Sequence, residues 1–308
     1  MGFVDEIENS DEQLPHISKS RVKTWKTCPR KFWFQYIFGY RTGDTFYTKR
    51  GTRLHKTYEL FHENAEAAID AGTFDASYLE QYLPYDEVGL WLDWVDPFVV
   101  NFIRFEERRW HEACKHSENP ARLWLPQEVE AEGWLDEPPV ADSPPWMGYA
   151  DAVLHAASVP DVDRDEGYVI LDYKTGKTPD PKYREEGIFL EGEFYACLFE
   201  DELEIAAVAG YYPMNDDFIV APLDDARREV INAAVEMMIG SRKMADFPIE
   251  EQPLCKWKPG KDNECDFYRI CSSRWGCRGG PGPTFDDAPD REREEPTTQP
   301  GYGDRWLN

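Results

Sequence analysis

The chain has 308 residues, 41% of them hydrophobic and 11 of them Trp, enough for a sizeable core in one large domain or two ordinary ones. Sixty acidic against 34 basic residues leave a net charge of −26, which over the whole chain argues against nucleic acid and suits a carboxylate-rich surface hydrated in a high-salt cytosol. No apolar run reaches eighteen residues, the acidic start MGFVDEIENSDEQLPH has no apolar signal core, and Glu6 stands where a myristoylation motif needs Ser or Thr; the expectation is a cytoplasmic protein with no membrane span.

In chain order, residues 1–15 read as a flexible acidic lead-in. ISKSRVKTWKTCPRKFWFQYIF follows, with Ser18 as N-cap and Val22, Trp25, Phe32 and Tyr36 at helical spacing, and with Pro29 separating two short helices. Residues 18–58 hold eleven basic residues and a single acid, Asp44. Among these cations Arg21, Lys23, Lys26, Arg30, Lys31 and Arg53 are candidates to track a nucleic-acid backbone, with the interleaved aromatics mostly core and the basic side chains mostly outward. GTRLHKTYELFHENAEAAIDAG is helical to Gly72, and residues 86–116 are helical with a break near Pro97.

The pattern then changes. LWLPQEVEAEGWL alternates as a strand does, WMGYADAVLHA and GYVILDYKTG read as two more, GIFLEGEFYACLFEDE is helical, AAVAGYYPM is a strand, and 223–246 form a last helix. This is a mixed α/β core with a helical elaboration in one domain. From about residue 279 a Pro-, Gly- and charge-rich tail reads as disordered.

Asp151 ends the stretch GYAD on one strand, and Asp172 and Lys174 end the next. If those strands pair, both carboxylates meet at one edge, and Lys174 points where Asp172 points because residues two apart share a face. Carboxylates so close repel unless a cation lies between them, and hard oxygen ligands suit Mg²⁺ or Mn²⁺. A lysine beside them can orient the nucleophile or stabilise charge on a phosphoryl oxygen. An Asp–Lys ion pair capping a strand end is the plainer reading. Glu128 and Glu130 on the preceding strand read as solvated face, with an auxiliary ligand as the other option; His62, His111, His116 and His155 read as structural, and Cys114 and Cys197 as core thiols.

GYAD followed 21 residues later by DYKTG resembles the PD-(D/E)XK nuclease superfamily, and more closely its RecB-type branch of iron–sulfur CRISPR-associated exonucleases and RecB and AddB nuclease domains. The resemblance covers residues 16–271 and implies a restriction-endonuclease-like mixed sheet core flanked by helices, with a helical N-terminal elaboration and an iron–sulfur clasp. GTRLHKTYELF resembles the branch's helix with a metal-binding histidine, which carries over to His55. EGEFYACL resembles its Gln-X-X-X-Tyr helix; Tyr195 matches, but Glu191 stands in the Gln place, where a carboxylate would repel phosphate unless it met a metal or a basic partner. The resemblance thus implies metal at His55, Asp151, Asp172 and the Tyr173 carbonyl, with Lys174 catalytic and Tyr195 and Glu191 completing the site.

Cys255, Cys265, Cys271 and Cys277 are spaced C-x₉-C-x₅-C-x₅-C, and Cys28 stands in TCPRKFWFQY. A cytosolic chain disfavours disulfides, and the paired C-x₂-C of a zinc ribbon is missing. The pattern resembles the branch's 4Fe–4S arrangement, with Cys28, Cys255, Cys265 and Cys271 as ligands and Cys277 as the rival for one place; Asp262 stands where the branch has a further Cys. The function so implied is a metal-dependent deoxyribonuclease, an exonuclease of DNA repair, recombination or CRISPR adaptation, acting on single strands or duplex ends. The alternative is a catalytically silent iron–sulfur module gripping DNA for a helicase or integrase partner.

Overall fold

A computed structural model describes residues 14–40, 46–85, 97–162, 166–241 and 246–250, together with Cys265, Phe267 and Cys271. The predicted acidic lead-in and disordered tail fall outside these residues, apart from Leu14 and Pro15. So do residues 86–96 of the predicted helical stretch. No helix among the described residues is long and apolar enough to cross a membrane.

The chain divides into two compact units. The larger comprises Pro15–Lys23 and Asp44–Met237. Its centre is a five-stranded mixed sheet in the order β1 (Glu128–Leu135), β2 (Trp146–His155), β3 (Tyr168–Tyr173), β4 (Ile205–Tyr212) and β5 (Asp217–Ala221). The pairs β1–β2, β2–β3 and β4–β5 are antiparallel, and β3–β4 is parallel. Every residue of β4 and all but the first of β3 are buried, as a parallel pair covered on both faces requires. The strand β5, DFIVA, is an addition to the predicted order: five residues behind a turn carry too little alternation to stand out.

Two long helices cover one face. In α3 (Phe46–Asp70) the buried Leu54, Tyr58, Phe61, His62 and Ala65 recur at helical spacing. In α4 (Pro97–His116) the stripe runs from Phe98 through Phe102 and Phe105 to Arg109 and Ala113. These stripes meet in aromatic stacking: Tyr58 lies 4.1 Å from Phe102 and 4.8 Å from Tyr173, and Phe105 lies 4.2 Å from Tyr211. Cys114, expected in the core, is exposed; it follows Ala113 by one residue, a turn of about 100° away from the buried stripe. A short helix α5 (Pro120–Trp124) leads into β1.

The crossover from β3 to β4 carries a π-helical turn (Glu185–Phe189) and then α6 (Leu190–Phe199). All ten residues of α6 are buried, so the helix is apolar nearly all round. Glycines let it lie close on the sheet. A Cβ on Gly192 would stand 2.6 Å from the Val208 Cβ, and one on Gly133 of β1 would stand 2.7 Å from the Leu198 Cβ. Gly192→Ala is therefore expected to lower stability by about 1–3 kcal/mol through overpacking against β4, read as a lower midpoint in thermal or denaturant unfolding. A variant as stable as the parent would mean that the helix can lift off Val208 without cost. Past β5, α7 (Asp225–Gly240) ends the described part of this unit and runs on into the smaller one.

The smaller unit comprises Met1–Leu14, Thr24–Gly43 and Met238–Asn308. The helix α1 (Lys19–Thr27) enters it from the larger unit, and Pro29 separates it from α2 (Pro29–Phe32), in line with the expected break. Its described residues form an aromatic core: Trp25 packs edge-on to Phe32 at 5.4 Å and to Phe247 at 5.5 Å, and Phe34 stacks on Phe267 at 5.4 Å. The Arg30 N–H donates to the Pro248 carbonyl at 3.1 Å, and its Nε donates to the Phe247 carbonyl at 2.9 Å.

Candidate active site at the β2–β3 edge

Strand register builds the site. The β2–β3 ladder runs from His155 opposite Tyr168 to Ala152 opposite Leu171, which carried one residue further sets Asp151 opposite Asp172. The β1–β2 ladder pairs Val129 with Ala152 and Ala131 with Ala150, which sets Glu130 opposite Asp151. Three carboxylates thus form a row across three strands. Like charges directly opposite destabilise a sheet unless cations relieve them. Here relief comes from both ends of the row.

At the β1 end, α3 supplies His55. Its Nδ1 lies 3.0 Å from Asp151 Oδ1. Ligand atoms of His55, Glu130 and Asp151 all lie within 4.8 Å of one another. Burial works against a charged His55, but Asp151 outweighs it and raises the pKa to about 9. Burial, and then Asp151, raise the Glu130 pKa to about 7. Glu130 is half-buried with a left-handed φ of 48°, a conformation costing a residue with a Cβ of order 1–3 kcal/mol. The expectation that Glu130 is solvated strand face is corrected; Glu128 is exposed, as expected. No spacing signal marks Glu130, because its position depends on the β1–β2 register and on a backbone conformation that no residue pattern announces.

At the β3 end the cations are lysines. Lys174 Nζ lies 2.5 Å from Asp172 Oδ2 and 2.8 Å from Glu191 Oε2. Lys19, at the start of α1, reaches Asp172 Oδ2 at 3.1 Å and Glu191 Oε2 at 3.6 Å, and stands 4.9 Å over the Tyr195 ring. Lys23, one turn on, meets Glu191 Oε1 at 2.5 Å. Glu191 therefore has the basic partners that a carboxylate in the Gln place requires. Burial opposes the charge on Asp172, but Lys174 and Lys19 hold its pKa well below the usual carboxylate range. Lys174, Lys19 and Lys23 lower Glu191 likewise against its burial. Burial pushes the Tyr195 phenol up, so it stays protonated. Asp172 stands with these lysines, outside the group of His55, Glu130 and Asp151.

Backbone and buried side chains brace the edge. The Tyr173 N–H donates to Asp151 Oδ2 at 2.5 Å. Its phenol faces His62 Nε2 at 3.4 Å, within a buried set where Arg109 meets Glu106 at 2.8 Å. His62 lies seven residues after His55, two turns further along α3, and burial and then Arg109 lower its pKa well below the ordinary value. Arg50 donates to the Thr175 carbonyl at 2.9 Å and lies 5.5 Å from the Tyr47 ring. Phe46 and Tyr47 beside it are strongly exposed.

Among the other predicted contacts, Lys26 and Arg53 are exposed, Lys31 is partly exposed and Arg21 donates to the His16 carbonyl. Lys23, expected on a DNA backbone, also meets Glu191. Cys28 and Cys271 are buried and Cys265 partly so, all in the smaller unit. Among the described residues no three cysteines bring their ligand atoms within 4.8 Å of one another. Cys255 and Cys277 lie outside the described residues. The described cysteines do not by themselves make a closed ligand set.

The family model of the PD-(D/E)XK nuclease superfamily matches residues 16–272. The chain belongs to the PD-(D/E)XK nuclease superfamily. A PD-(D/E)XK chain is a metal-dependent nuclease by family, and the mixed five-stranded sheet flanked by helices is consistent with that fold. No curated protein sequence matches this PD-(D/E)XK chain.

Proposed function

We propose that the chain is a Mg²⁺- or Mn²⁺-dependent deoxyribonuclease that digests DNA as an exonuclease. The observation that carries this is the row Glu130–Asp151–Asp172, relieved by His55 at one end and by Lys174 at the other. The donor set of one imidazole nitrogen and two carboxylates fits a divalent cation that keeps open positions. The ion, when bound, supplies Lewis acidity to the scissile phosphate and makes water a better nucleophile.

The remaining work falls to side chains. His55, Glu130 and Asp151 hold the ion's place, with Asp151 oriented by the Tyr173 N–H. Lys174 stabilises the negative charge that grows on the phosphoryl oxygens, held in position by its contacts to Asp172 and Glu191. Water's oxygen bonds to phosphorus, one P–O ester bond breaks, and a proton passes to the leaving alkoxide. Phe46, Tyr47 and Arg50 beside Thr175 offer stacking faces and a cation for a single-stranded end. Cleavage of single- and double-stranded DNA by the full chain, in high salt with either metal, is the test. No cleavage under any of these conditions overturns the reading in favour of a silent DNA-binding module.

The proposal extends to a 4Fe–4S clasp on Cys28, Cys265, Cys271 and Cys255 or Cys277. Its support is the folding of residues 24–43 with the C-terminal segment into one unit, Phe34 stacked on Phe267. Such a clip closes a loop of more than two hundred residues, worth on the order of 4–5 kcal/mol if it acts as a covalent link. Protein prepared without oxygen is expected to be brown, to contain iron and sulfide, and to lose both with stability in Cys28→Ser. A colourless, iron-free and fully folded protein refutes the clasp.

A further inference from the structure

The β3 end of the site holds more lysine than one catalytic group accounts for. Lys19, Lys23 and Lys174 bring three positive charges to two carboxylates, Asp172 and Glu191. Each ammonium has three N–H donors, and the five contacts made to the two carboxylates leave donors over for a further anion. Lys19 is no stray surface side chain. The residues before it bridge to β2: the Ile17 N–H donates to the Pro145 carbonyl at 2.8 Å, and Met147 N–H donates to the Ile17 carbonyl at 2.9 Å. Ile17 is wholly buried, and the Lys19 side chain is only 20% exposed. The hydrogen-bonded bridge, the Tyr195 ring and the two carboxylates together fix the ammonium beside Asp172 and Glu191. The other half has the opposite character: Glu130 and Asp151 outnumber His55.

We propose that Lys19 is a second phosphate-binding lysine of the site, receiving the scissile phosphate together with Lys174. This rests on the reading of the chain as a phosphodiesterase acting on DNA. It gives Glu191 a task. A carboxylate there gathers Lys19, Lys23 and Lys174 into one cationic cradle, where an amide could not hold three charges together.

The test uses the full chain without metal. In chelator, anisotropy of a labelled single-stranded oligonucleotide should show binding by the wild type. Lys19→Ala should weaken it about tenfold or more, the loss of one charge-assisted contact, and Lys19→Arg should bind better than Lys19→Ala. Lys115→Ala, on the exposed side of α4 beside Glu112, should bind as the wild type. Calorimetric Mn²⁺ affinity should hold in Lys19→Ala and fall in His55→Ala. If Lys19→Ala does not fold, Lys19→Gln with Asp172→Asn removes the charge pair together and should show the same binding loss. The proposal is overturned if the wild type does not bind without metal, or if the Lys19 variants bind DNA as the wild type does. It is equally overturned if Lys19→Ala loses Mn²⁺ as His55→Ala does. A wild type that binds but cleaves nothing sinks the nuclease reading alone, because the metal-free binding still reads Lys19.

Discussion

Lys174→Ala is expected to lower Mn²⁺-dependent DNA cleavage by about 10²–10³-fold, the usual effect of removing one donor aimed at developing charge. The loss should fall mainly on kcat. Lys19 and Lys23 remain to neutralise Asp172 and Glu191, so the fold and much of the ground-state attraction for DNA survive. Lys174→Arg is not a rescue: a planar fork cannot repeat the 2.5 Å and 2.8 Å contacts that one compact ammonium makes to two carboxylates. Single-turnover kinetics on an end-labelled oligonucleotide would measure the effect. A loss under about tenfold would place the charge-stabilising role elsewhere, with Lys19 the first candidate.

The largest effect on stability is expected at Arg109. Arg109 and Glu106 are both wholly buried one turn apart on α4, and Arg109 also donates to the Trp124 carbonyl and to Ser158 Oγ at 3.1 Å. Arg109→Leu leaves the Glu106 carboxylate without its counter-charge in the core, which costs about 3–5 kcal/mol. Burial already raises the Glu106 pKa against the pull of Arg109, the strongest of the groups that favour its charge. Removing both charges with Glu106→Leu and Arg109→Leu should recover much of the loss, because a well-packed apolar pair can replace a buried ion pair. Denaturant unfolding of the three variants would decide. Additive losses in the double variant would show that the pair contributes packing and not paired charge.

Much of the edge was legible. The apolar run into Asp172 and the alternation into Asp151 place both carboxylates at strand ends, and DYKTG puts Lys174 on the Asp172 face. The helical spacing around His55 was legible too, as was the break at Pro29. What escaped were positions fixed by distant register. Glu130 enters the site because β1 pairs with β2 in one register and not another. Lys19 and Lys23 sit in a basic run whose charge count points outward to DNA, yet Lys19 meets Asp172, 153 residues on, and Lys23 meets Glu191, 168 residues on. A local count cannot see a partner that only folding supplies. Cys114 shows the same limit at smaller scale: its helical context is legible in the sequence, but the exposed side of the helix it takes is not.

Glu130 keeps a left-handed backbone in the middle of a strand. Glycine would adopt that conformation without strain, but it has no carboxylate to give. The residue best suited to the hairpin and the residue best suited to the proposed ion site are therefore different amino acids at one position. Heat-resistance screening and cleavage screening would pull that codon in opposite directions, and a consensus-minded engineer stiffening β1 would strip the proposed ion site first.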